Sequence, residues 1–223
     1  MCFSATASYG AGAVLTIIGI TSLKKSTEPS ERLFASIPLL FAVQQFAEGI
    51  LWGILPSANY DQLEKICVVV FIIIAQIVWP IWIPLSIHQM ETHKLARQSL
   101  AFLIGIGVIV SLCMGWCLII YGVEANIVGH HISYTQNYPD IFKGWVGYFY
   151  GLVTIFPSFM SSFKRMLLLG FAILVSYLVT MIYFHNHIIS VWCFFAALIS
   201  ITVYYVLLGV KRKSVKLYAN EIK

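Results

Sequence analysis

Charged residues are scarce in this chain. Asp, Glu, Lys and Arg together make up 10% of the 223 residues, whereas 60% of the residues are hydrophobic. Soluble globular proteins contain about 25% charged residues, so the composition excludes an ordinary soluble domain. A disordered chain is excluded as well, because disorder combines low hydrophobicity with high net charge. The formal charge of +5 forms no basic face, so no nucleic-acid partner is expected.

Long apolar runs dominate the sequence, and its mean hydropathy is +0.86. Each run is close to the ~20 residues that a helix needs to cross a bilayer. Helices are expected because lipid offers backbone polar groups no partner. The runs cover residues 3–23, 32–55, 65–88, 98–122, 143–162, 165–185 and 188–210. The sequence therefore predicts an all-α fold, a single seven-helix transmembrane domain over residues 1–223 that is embedded in the lipid bilayer.

Basic residues are absent from the interiors of these runs and unevenly distributed between the loops. With the N-terminus outside, twelve of the fourteen basic residues lie in inner loops or the C-terminal tail, and only Lys65 and Lys143 lie outside. Membrane proteins keep an excess of Lys and Arg in their cytoplasmic loops. This asymmetry predicts an external N-terminus and a cytoplasmic C-terminus. The first run is not expected to be a cleaved signal, because no basic residue precedes Lys24.

Acidic residues are nearly absent from the runs, and Glu48 is the single exception. Its position in the second run places it about 10 Å below the outer surface. Gln44 and Gln45 lie one turn before it, and Trp52 lies one turn after it. Because intramembrane acids usually face the bundle interior or water, we expect an outward-facing polar pocket around Glu48. The alternative is a structural hydrogen bond between helices.

Metal-binding spacings such as CxxC and HxxxH do not occur. Even so, Cys2, Cys193, His185 and His187 are all expected at the outer side, as is Glu48. Cys, His and carboxylate side chains are zinc ligands, so these five are candidates for a metal site. An oxidising exterior would instead favour a disulfide between Cys2 and Cys193. The third alternative is that the cysteines are simply small apolar residues, and no cofactor is assigned.

Two further segments have more than one interpretation. Pro80 and Pro84 predict a kink in the third run, one turn after Gln76. Such a kink either borders a cavity or bends the helix at the inner membrane interface. The loop at 123–142 faces outside, and it is either a lid over the pocket or an ordinary surface loop.

Four short segments have a distinctive polar and aromatic pattern. They are Met1-Cys2-Phe3-Ser4-Ala5-Thr6-Ala7-Ser8, Ile37-Pro38-Leu39-Leu40-Phe41 with Gln44-Gln45 and Glu48-Gly49, Trp79-Pro80-Ile81-Trp82, and Val191-Trp192-Cys193-Phe194-Phe195-Ala196-Ala197. With these segments the whole chain resembles a family of uncharacterised bacterial multi-span membrane proteins whose chains open Met-Cys-Phe-Ser-Ala. The resemblance implies a protein of the bacterial inner (plasma) membrane. It implies no activity, because that family has no known function.

Three functional hypotheses follow. The first is a membrane protein that binds or moves a small ligand, an ion or a proton in the outward-facing pocket. The second is a membrane-embedded enzyme that depends on a metal or a thiol, and the third is a structural or accessory subunit. The candidate pocket residues are Glu48, Gln45, Gln44, Trp52, Gln76, Cys2, Ser4, Cys193 and Trp192. The ligand, any reaction and the oligomeric state do not follow from the sequence.

Overall fold

A computed structural model of the chain describes residues 4–56, 61–183, 188–195 and 199–209. Within its helices, the side chains at 140–143, 188, 193 and 194 are not described. Helices form most of this structure, and one β-hairpin interrupts them. The expectation of a mainly helical fold is confirmed, and the hairpin is a feature that the sequence did not predict.

The first half of the chain is a series of helices joined by short turns. These are α1 (Ala5–Lys25), a 3₁₀ turn (Pro29–Glu31), α2 (Arg32–Ala35), α3 (Ile37–Ile54), α4 (Asp61–Ile72), a π segment (Ile73–Val78), α5 (Trp79–Met90) and α6 (Lys94–Tyr121). The second half contains the hairpin and further helices. These are β1 (Glu124–Val128), β2 (His131–Thr135), α7 (Asp140–Ile155), α8 (Pro157–Met160), α9 (Met166–Tyr183), α10 (Ile188–Phe194) and α11 (Ile199–Gly209).

Five helical stretches within the described residues are long and apolar enough to cross a membrane. They are Ala5–Lys25, Pro29–Ile54, Asp61–Met90, Lys94–Tyr121 and Met166–Tyr183. The expectation of apolar helices compatible with a membrane is therefore confirmed. The fifth predicted run forms a shorter helix, because α7 ends before Pro157 and α8 follows it. In the seventh run the structure describes α10 and α11.

Helix α1 packs along α3 through a stripe of small residues. Ser8, Gly12, Gly19 and Ser22 are buried on this face. A Cβ atom at Gly19 would overlap the side chain of Leu39. Small residues allow helix backbones to approach closely in a membrane, where packing replaces the hydrophobic effect as the driving force.

The π segment arises where the prolines of the third run remove backbone donors. The Trp79 N–H donates to the carbonyl of Ile74, five residues earlier. In this pattern the next carbonyl, that of Ala75, would pair with residue 80, but Pro80 has no N–H. The Tyr150 hydroxyl donates to the Ala75 carbonyl instead. A side chain of α7 thus replaces the missing backbone donor.

Helix α6 covers the same proline-rich stretch from the other side and donates a hydrogen bond to one of its carbonyl groups. The Ser111 hydroxyl donates to the Ile77 carbonyl at 2.7 Å. The Pro80 carbonyl loses its regular donor because Pro84 follows four residues later, and Gly107 lies against it. A Cβ atom at Gly107 would overlap this carbonyl oxygen. The close approach of α6 to α5 therefore requires glycine at this position.

The β-hairpin is antiparallel and pairs Val128 with His131 across a two-residue turn. Gly129 begins that turn with φ +62°, the conformation that the common hairpin turns require at this position. Ala125 and Ile132 are buried against the ends of α3 and α4, where they pack with Leu51 and its neighbours. The hairpin is therefore folded onto the bundle.

Candidate functional site

A cavity of about 510 Å³ lies between α3, the π segment, α5, α6, the hairpin and helices α7 and α9–α11. Its apolar and aromatic lining consists of Ile37, Phe41, Ala75, Trp79, Ile83, Cys113, Met114, Cys117, Ile132, Tyr134, Tyr138, Val146, Gly147, Tyr150, Leu169, Ile173, Tyr177, Ile189, Trp192, Ile199 and Val203. Amide and hydroxyl side chains enter the lining at Gln76, Gln136, Thr154 and Ser190. The cavity is thus mainly apolar, with polar groups at a few positions.

Aromatic rings form two clusters in the cavity wall. Phe41 and Trp79 stack with their ring centroids 4.2 Å apart. Trp192 lies 6.0 Å from Tyr150 and 5.3 Å from Tyr177, with both rings tilted towards it. Such offset and tilted arrangements are the favoured geometries of aromatic pairs. The clusters bring together rings from five different helices.

Both tryptophans are held by hydrogen bonds from their indole nitrogens. Trp79 Nε1 donates to Gln44 Oε1 at 3.2 Å, and Gln44 Nε2 donates to the Phe71 carbonyl at 3.3 Å. Trp192 Nε1 donates to the Ser176 hydroxyl at 3.1 Å. A buried indole N–H needs such a partner. These bonds fix the positions of the two indoles in the wall.

Glu48 lies directly behind the cavity wall and is 0% exposed. The Ser190 hydroxyl donates to its Oε1 atom at 2.7 Å. Gln45 Nε2 donates to its Oε2 atom at 3.4 Å. The expectation that Glu48 faces the bundle interior is confirmed. Since Ser190 lines the cavity, one side chain separates the carboxyl group from the cavity space.

An amide pair joins the π segment to the strap that follows the hairpin. Gln76 and Gln136 donate to each other, at 2.7 Å and 3.0 Å. The Tyr138 hydroxyl also donates to Gln76 Oε1, at 3.3 Å. Burial and, secondarily, the nearby Cys117 thiol raise the pKa of Tyr138 to about 12, against the opposing effect of the neighbouring Gln136 amide. Tyr138 is therefore a neutral donor at physiological pH.

The segment predicted as a loop over 123–142 forms one side of the cavity. The inward side chains of this segment, from Ile132 to Tyr138, contribute to the lining. Tyr134 stacks on Phe71 with centroids 4.6 Å apart and rings almost parallel. The segment therefore covers one side of the cavity, and its role as a lid stays a prediction.

The residues predicted for the pocket fall into separate groups. Gln76 and Trp192 line the cavity, while Glu48, Gln45 and Gln44 are buried behind its wall. Trp52 is half-buried, and its Nε1 atom has no hydrogen-bond partner in the part of the chain that the structure describes.

Ser4 lies at the start of α1, where it is exposed and its hydroxyl accepts the Ala7 N–H at 3.2 Å. Its observed contact is that of a helix N-cap.

The candidate metal and disulfide residues are mostly beyond what the structure describes. Cys2, His185, His187 and the side chain of Cys193 lie outside the described residues. Within residues 4–56, 61–183, 188–195 and 199–209, no group of three or more His, Cys, Asp and Glu side chains could hold a metal ion. The metal site and the Cys2–Cys193 disulfide therefore stay predictions.

Several lining residues were not selected from the sequence. Phe41, Tyr150 and Tyr177 lie within apolar runs, where aromatic residues are common. Tyr150 does carry one usable signal, because a tyrosine hydroxyl inside an apolar run needs a hydrogen-bond partner. Such a residue is expected to face another helix rather than lipid.

Glu91 is another buried carboxylate, and its position outside the apolar runs did not single it out in the sequence. It is 3% exposed and lies in the turn between α5 and α6. It accepts hydrogen bonds from the hydroxyls of Ser161 and Ser162, at 3.0 and 2.6 Å, and from the backbone N–H groups of Thr92, His93 and Ser162. Burial by itself would raise the pKa of Glu91, but these hydrogen bonds hold it below its usual value. Glu91 thus joins two turns of the bundle.

A family model described as a family of unknown function (DUF6629) matches residues 1–219. Neither the curated proteins nor the solved structures include a match to this chain.

Proposed function

This chain belongs to the family of unknown function DUF6629, and we propose that it is a membrane protein that binds a small, mainly apolar molecule. The binding site is the cavity between Trp79, Trp192 and the hairpin. The observation that supports this proposal is the cavity's size and lining. Ligand pockets commonly measure about 300–1,000 Å³ and combine an apolar wall with a few placed polar groups, and this cavity of about 510 Å³ has both features.

Polar side chains at two positions in the cavity wall orient a ligand. One position is the Gln76–Gln136 pair, and the other is Ser190, whose hydroxyl is bonded to Glu48 behind it. A ligand hydroxyl or carbonyl can exchange hydrogen bonds with these side chains, which act as both donors and acceptors. The sequence predicts a pocket around Glu48. In the present proposal the pocket is centred on Gln76, Ser190 and Trp192, and Glu48 lies next to it.

The membrane topology is part of the proposal. Seven crossings require α7 with α8 to form the fifth crossing, and α10 with α11 to form the seventh. An external N-terminus and a cytoplasmic C-terminus then place twelve of the fourteen basic residues on the cytoplasmic side. The resemblance to bacterial multi-span proteins suggests the inner membrane as the location.

Reporter fusions test this topology. A reporter that is active only in the cytoplasm should be active when fused after Lys223. Activity there of a reporter that works only in the periplasm would contradict the seven-span arrangement.

Neopentylbenzene, a neutral apolar probe, tests ligand binding. We expect it to raise the unfolding temperature of the protein in lipid nanodiscs, because a ligand that binds only the folded state stabilises it. Gly147 lines the cavity, and a Cβ atom there would meet nothing within 4 Å. Gly147→Leu should therefore fold, occupy cavity space and abolish the shift.

Gly144→Leu is the matched control for that experiment. Gly144 lies one turn earlier on the same helix, outside the lining residues, and a Cβ atom there also meets nothing within 4 Å. This variant should keep the shift of the unchanged protein. An equal shift in all three proteins, or a shift in none, would contradict binding in the cavity.

A further inference from the structure

The described lining of the cavity contains no basic side chain, and one carboxyl group adjoins it. Among the described lining residues there is no Lys, Arg or His. Glu48 adjoins the cavity through Ser190, whose hydroxyl donates to the carboxyl group. Glu48 is also the only acidic residue inside any of the seven apolar runs. A cation in this cavity would meet one acidic group and no basic side chain from the lining.

The aromatic clusters are also electrostatically complementary to a cation. The face of an aromatic ring carries negative electrostatic potential, and Trp is the strongest of the three rings in attracting cations. Trp79 and Trp192 are both held in place through their indole nitrogens, and Tyr150 and Tyr177 flank Trp192. Cages of aromatic rings are the usual means by which proteins recognise quaternary ammonium groups.

We propose that the ligand of this cavity is a lipophilic organic cation, a molecule with an apolar body and a quaternary or tertiary ammonium group. This proposal rests on the proposed function and specifies its ligand class. The apolar body would occupy the aliphatic part of the wall, formed by residues such as Ile83, Leu169 and Val203. The ammonium group would lie among the Trp192 cluster, near Ser190 and Glu48.

A charged probe and its neutral isostere test the charge preference. Benzyltrimethylammonium and neopentylbenzene have nearly the same shape and differ in one positive charge. We expect the cation to bind at least about tenfold more tightly, which is the order that a desolvated cation–ring interaction provides. Both affinities are obtained in nanodiscs from the change of the unfolding temperature with probe concentration. The Gly147→Leu variant, whose cavity is filled, shows how much of that change comes from probe dissolved in the lipid.

Substitutions then locate the source of the preference. Tyr177→Leu removes one ring of the cluster, and Tyr177→Phe keeps it. Glu48→Gln removes the ionisable carboxyl group and keeps the size of the side chain. We expect the affinity ratio of cation to isostere to fall several-fold in Tyr177→Leu and in Glu48→Gln, and to stay unchanged in Tyr177→Phe. A packing role alone would change both affinities together and leave their ratio constant.

The possible results separate the two proposals. Equal binding of both probes would overturn the cation preference and leave the proposed function in place. Binding of neither probe would overturn both. A preference that is unchanged in Tyr177→Leu and in Glu48→Gln would place the cation outside this cavity and would also overturn the proposal.

Quaternary ammonium groups occur both in lipid headgroups and in free compounds. The choice of nanodisc lipid distinguishes these two sources. Phosphatidylcholine carries a trimethylammonium group, whereas phosphatidylethanolamine, which is also zwitterionic, carries a primary ammonium group. Weaker binding of benzyltrimethylammonium in phosphatidylcholine discs than in phosphatidylethanolamine-rich discs supports a headgroup as occupant, because the two surfaces have the same net charge. Equal binding in the two supports a free cation.

Discussion

The Ser190 hydroxyl donates to Oε1 of Glu48 at 2.7 Å and joins two residues that are 142 positions apart in the chain. This bond connects α10 to α3 at the cavity wall. It also explains how an acidic residue is accommodated in an apolar run, because a buried charge or polar group requires hydrogen-bond partners. Both carboxyl oxygens of Glu48 accept a hydrogen bond, Oε1 from Ser190 and Oε2 from Gln45.

Substitutions at Glu48 should therefore separate hydrogen bonding from charge. Glu48→Leu leaves the Ser190 and Gln45 donors without their acceptor, and we expect it to lower the free energy of unfolding by about 1–3 kcal/mol. Glu48→Gln keeps a carbonyl oxygen at the site and should cost clearly less. Unfolding by SDS titration measures both variants. Equal stability of Glu48→Leu and the unchanged protein would show that these hydrogen bonds contribute nothing.

The Gln76–Gln136 pair should behave as a coupled unit. Gln76→Leu leaves the half-buried Gln136 amide and the buried Tyr138 hydroxyl without their Gln76 partner, and Gln136→Leu leaves the buried Gln76 amide with Tyr138 alone. Each should cost about 1–3 kcal/mol. Replacing both removes the two unpaired amides and leaves only the Tyr138 hydroxyl without its acceptor. The double variant should therefore lose less stability than the two single variants combined. The same SDS titrations give all three values. Strictly additive losses would show that the two amides do not interact.

Two glycines of α6 provide a matched pair. A Cβ atom at Gly107 would overlap the Pro80 carbonyl oxygen, whereas one at Gly105 would meet nothing within 4 Å. Gly105→Ala should stabilise the protein by up to about 1 kcal/mol, because alanine is the better helix former. Gly107→Ala should destabilise it by about 1–3 kcal/mol through overpacking. Similar thermal unfolding temperatures for the two variants would contradict the close approach of α6 to α5.

Glu91 should make stability depend on pH in the acid range. Its hydrogen bonds hold its pKa in the folded protein below the ordinary 4.5. The resulting stabilisation is fully present above pH 4.5 and is lost as the pH falls through the lower, folded-state pKa. Glu91→Gln should therefore be less stable than the unchanged protein at pH 7, and the difference should shrink below pH 4.5.

Unfolding temperatures measured between pH 7 and pH 3 check this expectation. Glu28→Gln is the control for the loss of one exposed carboxyl group. A difference between Glu91→Gln and the unchanged protein that is constant over this range would show that the Glu91 carboxylate is not preferentially ionised in the folded state.

The third run shows which structural features a local sequence pattern predicts and which it does not. Pro80 and Pro84 predict a distortion of the helix, and the π segment is found directly before them. The same pattern does not predict that Tyr150 donates to the freed Ala75 carbonyl, because these residues are 75 positions apart. The β-hairpin was missed for a related reason. Its register depends on a two-residue turn at Gly129, while its burial depends on contacts with α3 and α4.

The sequence by itself determined that the chain forms apolar helices compatible with a membrane, and that Glu48 is turned inward. Both follow from local physics, since length and hydropathy decide whether a helix can span lipid, and an acid facing lipid costs free energy wherever its partners lie. Only the tertiary structure decided that Ser190 is a partner of Glu48, that the aromatic rings of α3, α5, α7, α9 and α10 share one cavity, and that Glu91 joins two turns. These contacts connect distant positions, and no spacing or periodicity along the chain encodes which helices become neighbours.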